Sequence, residues 1–276
     1  MTRDLVNKPV WVWGLPLSPF SLAETNETVN QLVERRQSAY FITANTHYAM
    51  LTREHPELHQ VNAGAAFLVA DGAPLVWASR RRPAALPERV AGSDLIFTLS
   101  ELAARKGYRV FFAGGAPGVA EAAAQRLSAC YPALQVAGTA SPHFRDLSTA
   151  EYARLKRQIA EARTDILILA ATMPLGELWL SAHLADLGVP LGVNLGAAID
   201  FAAGRVDRAP RWMQQTGLEW AFRLLLEPRR LFPRYARNAW FILNMALRDR
   251  GQPPTPAPAL PPTPPATRSS TQKAAQ

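Results

Sequence analysis

Six short runs of large apolar and β-branched residues punctuate the chain, at positions 40–44, 67–71, 108–113, 134–138, 165–171 and 190–194. Runs of this length with no polar alternation are what a strand buried on both faces requires. Between them lie stretches in which apolar residues recur every three or four positions: 26–36, 93–106, 117–129, 149–162 and 178–187. Their ends carry helix signals. Ser93-Asp94 and Ser148-Thr149 stand where N-caps belong, with Glu151 soon after, and Gly107 and Gly188 stand where helices stop. Strand runs alternating with helical stretches predict an α/β fold, a Rossmann-like parallel sheet with crossover helices. No internal repeat of convincing period is present.

The pattern changes after residue 204. Pro210, Pro228 and Pro233 divide the next segment into helices expected to begin near 210, 229 and 234. This predicts a core over 1–204, a helical appendage over 205–251 and, over 252–276, a disordered tail. The tail holds eight of the chain's 23 prolines and almost no large apolar side chain.

Charge sharpens the picture of the appendage. From Arg205 to Arg250 there are ten Arg, no Lys, two Asp and two Glu, so this stretch carries +6 of the formal +8. A guanidinium grips phosphate through paired hydrogen bonds and is weakly hydrated, which suits a phosphate at a partly dry boundary. Trp212, Trp220 and Trp240 are interspersed, as at a membrane interface. A plain solvated face or a nucleic-acid patch remains the alternative from composition, although no nucleic-acid module is recognisable.

The whole chain of 276 residues, 48% of them hydrophobic, can fill a substantial core. No apolar run reaches the roughly 18 residues a membrane span needs, so membrane contact is expected to be peripheral. The N-terminus carries Asp4 and early prolines where a signal peptide needs an unbroken apolar core, so a cytoplasmic location is expected. Cys130 is alone, which excludes an internal disulfide, and its setting reads as packing. Nothing in the sequence fixes an oligomeric state, and a homo-oligomer stays open.

In open parallel sheets ligands gather beyond the C-terminal strand ends. Three such places carry suitable residues. Thr43 and Asn45 could hydrogen-bond a base or sugar, or form an ordinary turn. Asp71-Gly72 could present a general base, or again a turn. The run FFAGGAPG at 111–118, with Gly114 and Gly115, leads from strand into helix and could offer N–H groups to a diphosphate, though it lacks full GxGxxG spacing. HExxH, CxxC, Walker and DxD motifs are all missing, so no metal site or cofactor is expected. A departing diphosphate would then have to be met by arginines and helix N-termini.

These residues sit in motifs that together resemble the WecG/TagA/CpsF glycosyltransferases, over most of the chain before the tail: TANTH at 43–47, ADG at 70–72, PERVAGSDL at 87–95, FFAGGAPGVA at 111–120, IDFAAGRVDRAPRWMQQTGLEW at 199–220 and RLLLEPRRLFPRY at 223–235. The resemblance implies a GT-E type core and a metal-independent, inverting transferase. It would move a hexose or N-acetylhexosamine from a UDP-sugar to a polyprenyl-diphosphate-linked saccharide, in cell-surface or exopolysaccharide assembly at the inner face of the cell membrane. It implies Asp71 as base, Arg89 as an active-site arginine, and Thr43, Asn45, Gly114, Gly115, Glu177 and Arg208 as substrate-binding positions. Arg223, Arg230 and Arg234 would meet the acceptor's diphosphate.

Two motifs depart from the family pattern. Ser141-Pro142-His143-Phe144 replaces a common Gly-Tyr-Phe, and Thr172-Met173-Pro174-Leu175-Gly176-Glu177 replaces Gly-x-Pro-Lys-Gln-Glu. Loss of the Lys and Gln side chains leaves the donor sugar unassigned. It also motivates a rival reading, a non-catalytic nucleotide-sugar or lipid-binding accessory protein. A dinucleotide-dependent oxidoreductase is a weaker rival, disfavoured by the missing GxGxxG spacing.

Overall fold

A computed structural model describes residues 8–248. The expected tail at 252–276 and the last residues of the expected appendage lie outside the described residues. In chain order the elements are β1 (Val10–Val12), β2 (Leu15–Leu17), α1 (Leu22–Arg35), β3 (Ala39–Ala44), α2 (Thr46–Glu54), α3 (Leu58–Gly64), β4 (Phe67–Ala70), α4 (Ala73–Ser79), α5 (Gly92–Lys106) and β5 (Arg109–Gly114). There follow α6 (Val119–Cys130), β6 (Gln135–Ala140), α7 (Thr149–Glu161), β7 (Ile166–Ala170), α8 (Leu175–Leu187), β8 (Leu191–Asn194), α9 (Ala198–Ala202), α10 (Arg211–Gln215), α11 (Glu219–Leu226) and α12 (Pro228–Arg248).

Among the described residues the main sheet has six strands in the order β4-β3-β8-β7-β5-β6. Every pairing in it is parallel. All six expected strands are therefore present, and the fold is the expected α/β type. Successive residues of a strand point to opposite faces, and the core divides accordingly. Ile42, Phe111 and Leu167 face α2, α3, α8 and the β1–β2 hairpin. Phe41, Phe112 and Ile168 face α1, α5, α6 and α9. Because the strands are parallel, residues 45, 71, 115, 171 and 195 all emerge at one edge of the sheet, and the crossover helices cover both faces.

The end signals hold in part. Ser148 accepts from the Glu151 N–H while Glu151 reaches back to the Ser148 N–H, a reciprocal cap that starts α7. Gly107 and Gly188 take left-handed φ values of 72° and 67° to end α5 and α8. Ser93-Asp94 is not a cap. The N-cap of α5 is Ala91, and both polar side chains are engaged by an arginine described below.

Two further expectations need correction. Cys130 is exposed at the end of α6 rather than packed. The helix expected near 229 is present and begins at Pro228, but it runs 21 residues straight through Pro233, so no separate helix starts at 234. An unexpected helix, Glu219–Leu226, precedes it. Pro228 occupies the first helical position, where its missing N–H costs nothing. Pro233 removes one amide donor, but packing on both sides carries the helix past it. Leu231 is buried before it, while after it Tyr235 meets Trp220 edge-on at 5.8 Å and Phe241 meets Trp13 at 5.6 Å.

Candidate active site

Asp71 leaves β4 with its N–H donated to the Ala44 carbonyl at 2.7 Å, which extends the parallel ladder by one residue and holds the aspartate beside the end of β3. Gly72 then turns the chain with a φ of 155° into α4. The following segment folds back on the same edge. The Val90 N–H donates to the Ala70 carbonyl at 2.9 Å, and the Glu88 carboxylate accepts the first N–H of α1, from Leu22, at 2.6 Å. Those two anchors bracket Arg89 and set it next to Asp71.

The Asp71 carboxyl lies deep enough that burial raises its pKa to about 6, against the opposing pull of Arg89 and the Gly92 N–H; Glu219 and Asp94 add to the rise. A carboxylate held at this pKa can accept a proton near neutral pH. Gly92 lies close by: a methyl group on it would stand 3.5 Å from Asp71 Oδ2 and 3.6 Å from the Leu195 carbonyl, in ordinary van der Waals contact.

Arg89 and Arg208 form one network with two acids. Arg89 Nη1 donates to Glu219 Oε2 at 2.9 Å, and its Nη2 lies 3.8 Å from Asp94. Arg208 Nη1 donates to Asp94 at 2.8 Å, its Nη2 donates to Ser93 Oγ at 3.1 Å, and its Nε lies 3.8 Å from Glu219. Glu219 was not singled out from the sequence, and Asp94 was read only as part of a helix cap. The signal was present, since a lone Glu after Gly217-Leu218 in a run rich in arginine is a natural counter-ion.

Thr43, Asn45 and Glu177 form a neighbouring group at the ends of β3, β8 and β7. Thr43 is only 1% exposed, with its hydroxyl 3.5 Å from the Asn194 carbonyl. Asn45 caps α2, its Oδ1 accepting the Tyr48 N–H at 3.1 Å. The side chains expected to read a sugar or base are thus also structural, and Thr43 in particular is closed off by packing. Asn45 touches the Asp71 segment, since a Cβ on Gly72 would lie 3.9 Å from the Asn45 Cβ.

Glu177 is 1% exposed, and burial raises its pKa to about 7. Its Oε1 accepts from Asn194 Nδ2 at 2.9 Å, and its Oε2 is buried with no partner among the described residues. Asn194 Oδ1 in turn accepts the Ala171 N–H at 3.1 Å, so one amide ties together the loops after β7 and β8 and the first turn of α8. Gly176 makes room for it: a Cβ there would fall 2.3 Å from the Asn194 side chain.

The glycine loop lies farther along the edge. β4 and β5 are separated by three strands, which places Gly114 about 19 Å from Asp71 across the sheet at the usual inter-strand spacing. Gly114 is a packing requirement, because a Cβ would meet the Ala170 carbonyl oxygen at 2.6 Å. The Gly115 N–H donates to that same carbonyl at 2.9 Å, so it is not available to a diphosphate as the sequence suggested.

The described appendage arginines have different neighbours. Arg223 lies with its guanidinium carbon 5.2 Å from the centre of the Phe201 ring, on α9. Arg234 acts on His47 of α2, whose pKa falls to about 4 through burial and the charges of Arg234 and Arg237. Arg230 belongs to α12, with its side chain outside the described residues. Among the described residues no three His, Cys, Asp or Glu side chains converge as a metal site would need, and no helix is long and apolar enough to cross a membrane.

Residues 10–255 match the Glycosyl transferase WecG/TagA/CpsF family. Two relatives carry the name N-acetylglucosaminyldiphosphoundecaprenol N-acetyl-beta-D-mannosaminyltransferase. The protein of Bacillus subtilis is 29% identical over 74% of this chain and 80% of its own length. That of Bacillus spizizenii is 28% identical over 72% and 75%.

Proposed function

The chain belongs to the WecG/TagA/CpsF glycosyltransferase family, and from that premise we propose that it transfers a hexose or N-acetylhexosamine from a UDP-sugar to a polyprenyl-diphosphate-linked saccharide. The observation that carries the reading is Asp71, half-buried at a strand end with Arg89 beside it. Asp71 takes the proton of the acceptor hydroxyl as that oxygen bonds to the anomeric carbon. The bond from that carbon to the diphosphate breaks on the opposite side, its electron pair leaving with UDP, so the centre inverts in one displacement. Arg89 offsets negative charge growing on the diphosphate, without a metal ion. Asn45 and Arg208 meet the donor, and the buried Thr43 and Glu177 hold the strand ends behind them in place.

The names of the two Bacillus relatives support a lipid-linked acceptor and an N-acetylhexosamine donor. The donor pocket of this chain has its own shape, because Asn194 occupies the space above Gly176 where the family pattern carries a glutamine. Residues 205–251 act as a module that meets the acceptor lipid, at the inner face of the cell membrane. This is supported by an apolar stripe on the outer side of α12. Phe232, Trp240, Leu243 and Leu247 repeat at helical spacing with up to 80% exposure, next to Leu225 of α11 at 77%. Arg223, Arg230 and Arg234 reach the diphosphate from that module.

The test is UDP release from a panel of UDP-hexoses and UDP-N-acetylhexosamines, with polyprenyl-diphosphate saccharides in detergent, with and without EDTA. Acceptor-dependent release that survives EDTA is the expected result, and UDP binding without release from any donor would favour the accessory-protein reading. A second expected outcome concerns the stripe. The double substitution Trp240→Glu, Leu243→Glu should weaken binding to anionic-lipid vesicles at least about tenfold in a sedimentation assay while leaving the melting temperature near that of the native chain. Unchanged sedimentation would remove α12 from the membrane contact.

A further inference from the structure

The acid that closes the arginine network comes from the helical segment and not from the sheet. Glu219 is the first residue of α11 and is 8% exposed, a burial that a carboxylate tolerates only when paired. Its two oxygens face two different arginines, Arg89 at 2.9 Å and Arg208 at 3.8 Å. The turn before it is fitted to the core as well. Gly217, with φ of 76°, lies so close to α4 that a Cβ would meet Ala73 Cβ at 2.7 Å. The start of α11 is therefore seated against α4, the Arg89 segment and the first turn of α5 together.

We propose that Glu219 is a positioning residue: its ion pair with Arg89 fixes that guanidinium beside Asp71, so that docking of α11 prepares the base. This rests on the reading of Asp71 as the base. The groups that face Asp71 are Arg89 from the segment before α5, Asp94 and the Gly92 N–H from α5, and Glu219 from α11. Arg208 balances Asp94 and Glu219 from the segment before α10. Three acids thus share two arginines, and the position of Arg89 among them decides how much of its charge Asp71 feels. Without the Glu219 carboxylate, Asp71 loses a like charge and Arg89 loses the partner that competes with Asp71 for its charge. Both changes ease ionisation of Asp71.

The experiment is the pH profile of kcat/KM for the native chain, Glu219→Gln, Glu219→Asp and Asp71→Asn. In Glu219→Gln the acid limb is expected to move about half to one pH unit lower, and kcat at neutral pH to fall about tenfold through the displaced guanidinium. Glu219→Asp keeps the charge on a shorter stem. It should leave the limb in place yet lower kcat several-fold, and it provides the reading if the glutamine variant does not fold. An unmoved limb in a folded Glu219→Gln, or an unchanged kcat in Glu219→Asp, overturns the inference while an inactive Asp71→Asn leaves the base reading standing. An active Asp71→Asn removes both.

Discussion

Asp71→Asn is expected to lower kcat by roughly 10² to 10⁴-fold, the usual worth of a positioned general base, while UDP affinity stays within about twofold. The substitution is close to isosteric. An amide keeps a hydrogen-bond acceptor for the Gly92 N–H but cannot accept the acceptor sugar's proton. Its effect should therefore fall on turnover rather than on donor binding, a split that single-turnover kinetics and UDP titration measure separately. A loss confined to KM would mean that Asp71 only helps to hold substrate, and the one-step displacement would need another base.

The second large effect is on stability. Glu177→Gln is expected to stabilise the protein by about 3 kcal/mol at pH 8, seen as a melting temperature higher by roughly 6–10 °C. The sign follows from burial. The folded state raises the Glu177 pKa from its ordinary 4.5 to about 7, so it binds the proton more tightly than the unfolded chain does. Stability is fully present below the unfolded pKa and is lost as pH rises through the folded one. Above pH 7 the native chain must hold a carboxylate whose Oε2 has no partner among the described residues. A glutamine carries no charge to bury, and its carbonyl still accepts from Asn194. By pH 5 the two proteins should differ by less than about 1 kcal/mol. Equal melting at pH 8 would show that Oε2 is solvated or paired and that Glu177 is not strained.

How much of this was legible in the sequence follows the strength of each physical signal. Strands such as 165–171 and 190–194 were readable because a strand buried on both faces has nowhere to put a polar residue. Helices α2, α3 and α4 were not resolved: they are only seven to nine residues long, too short for their period to stand out from the flanking strands. Asn45 held the clue to α2, since a residue read as a ligand contact was also a cap. Asp71 was found because a carboxylate at a strand end is conspicuous chemically. Glu219 was missed because Arg89, its hydrogen-bonded partner, lies 130 residues away in sequence, and only the folded chain brings the two within reach. The glycine loop carried two readings for a related reason: glycine marks close backbone approach, and at Gly114 the approaching backbone is Ala170.

A side chain at 176 and the present Asn194 rotamer exclude each other, and Asn194 is also the amide that holds the loop after β7 and the buried Glu177. The two positions therefore behave as one unit: a larger residue at 176 has to be matched by a change at 194, and effects measured singly at the two sites are expected not to add.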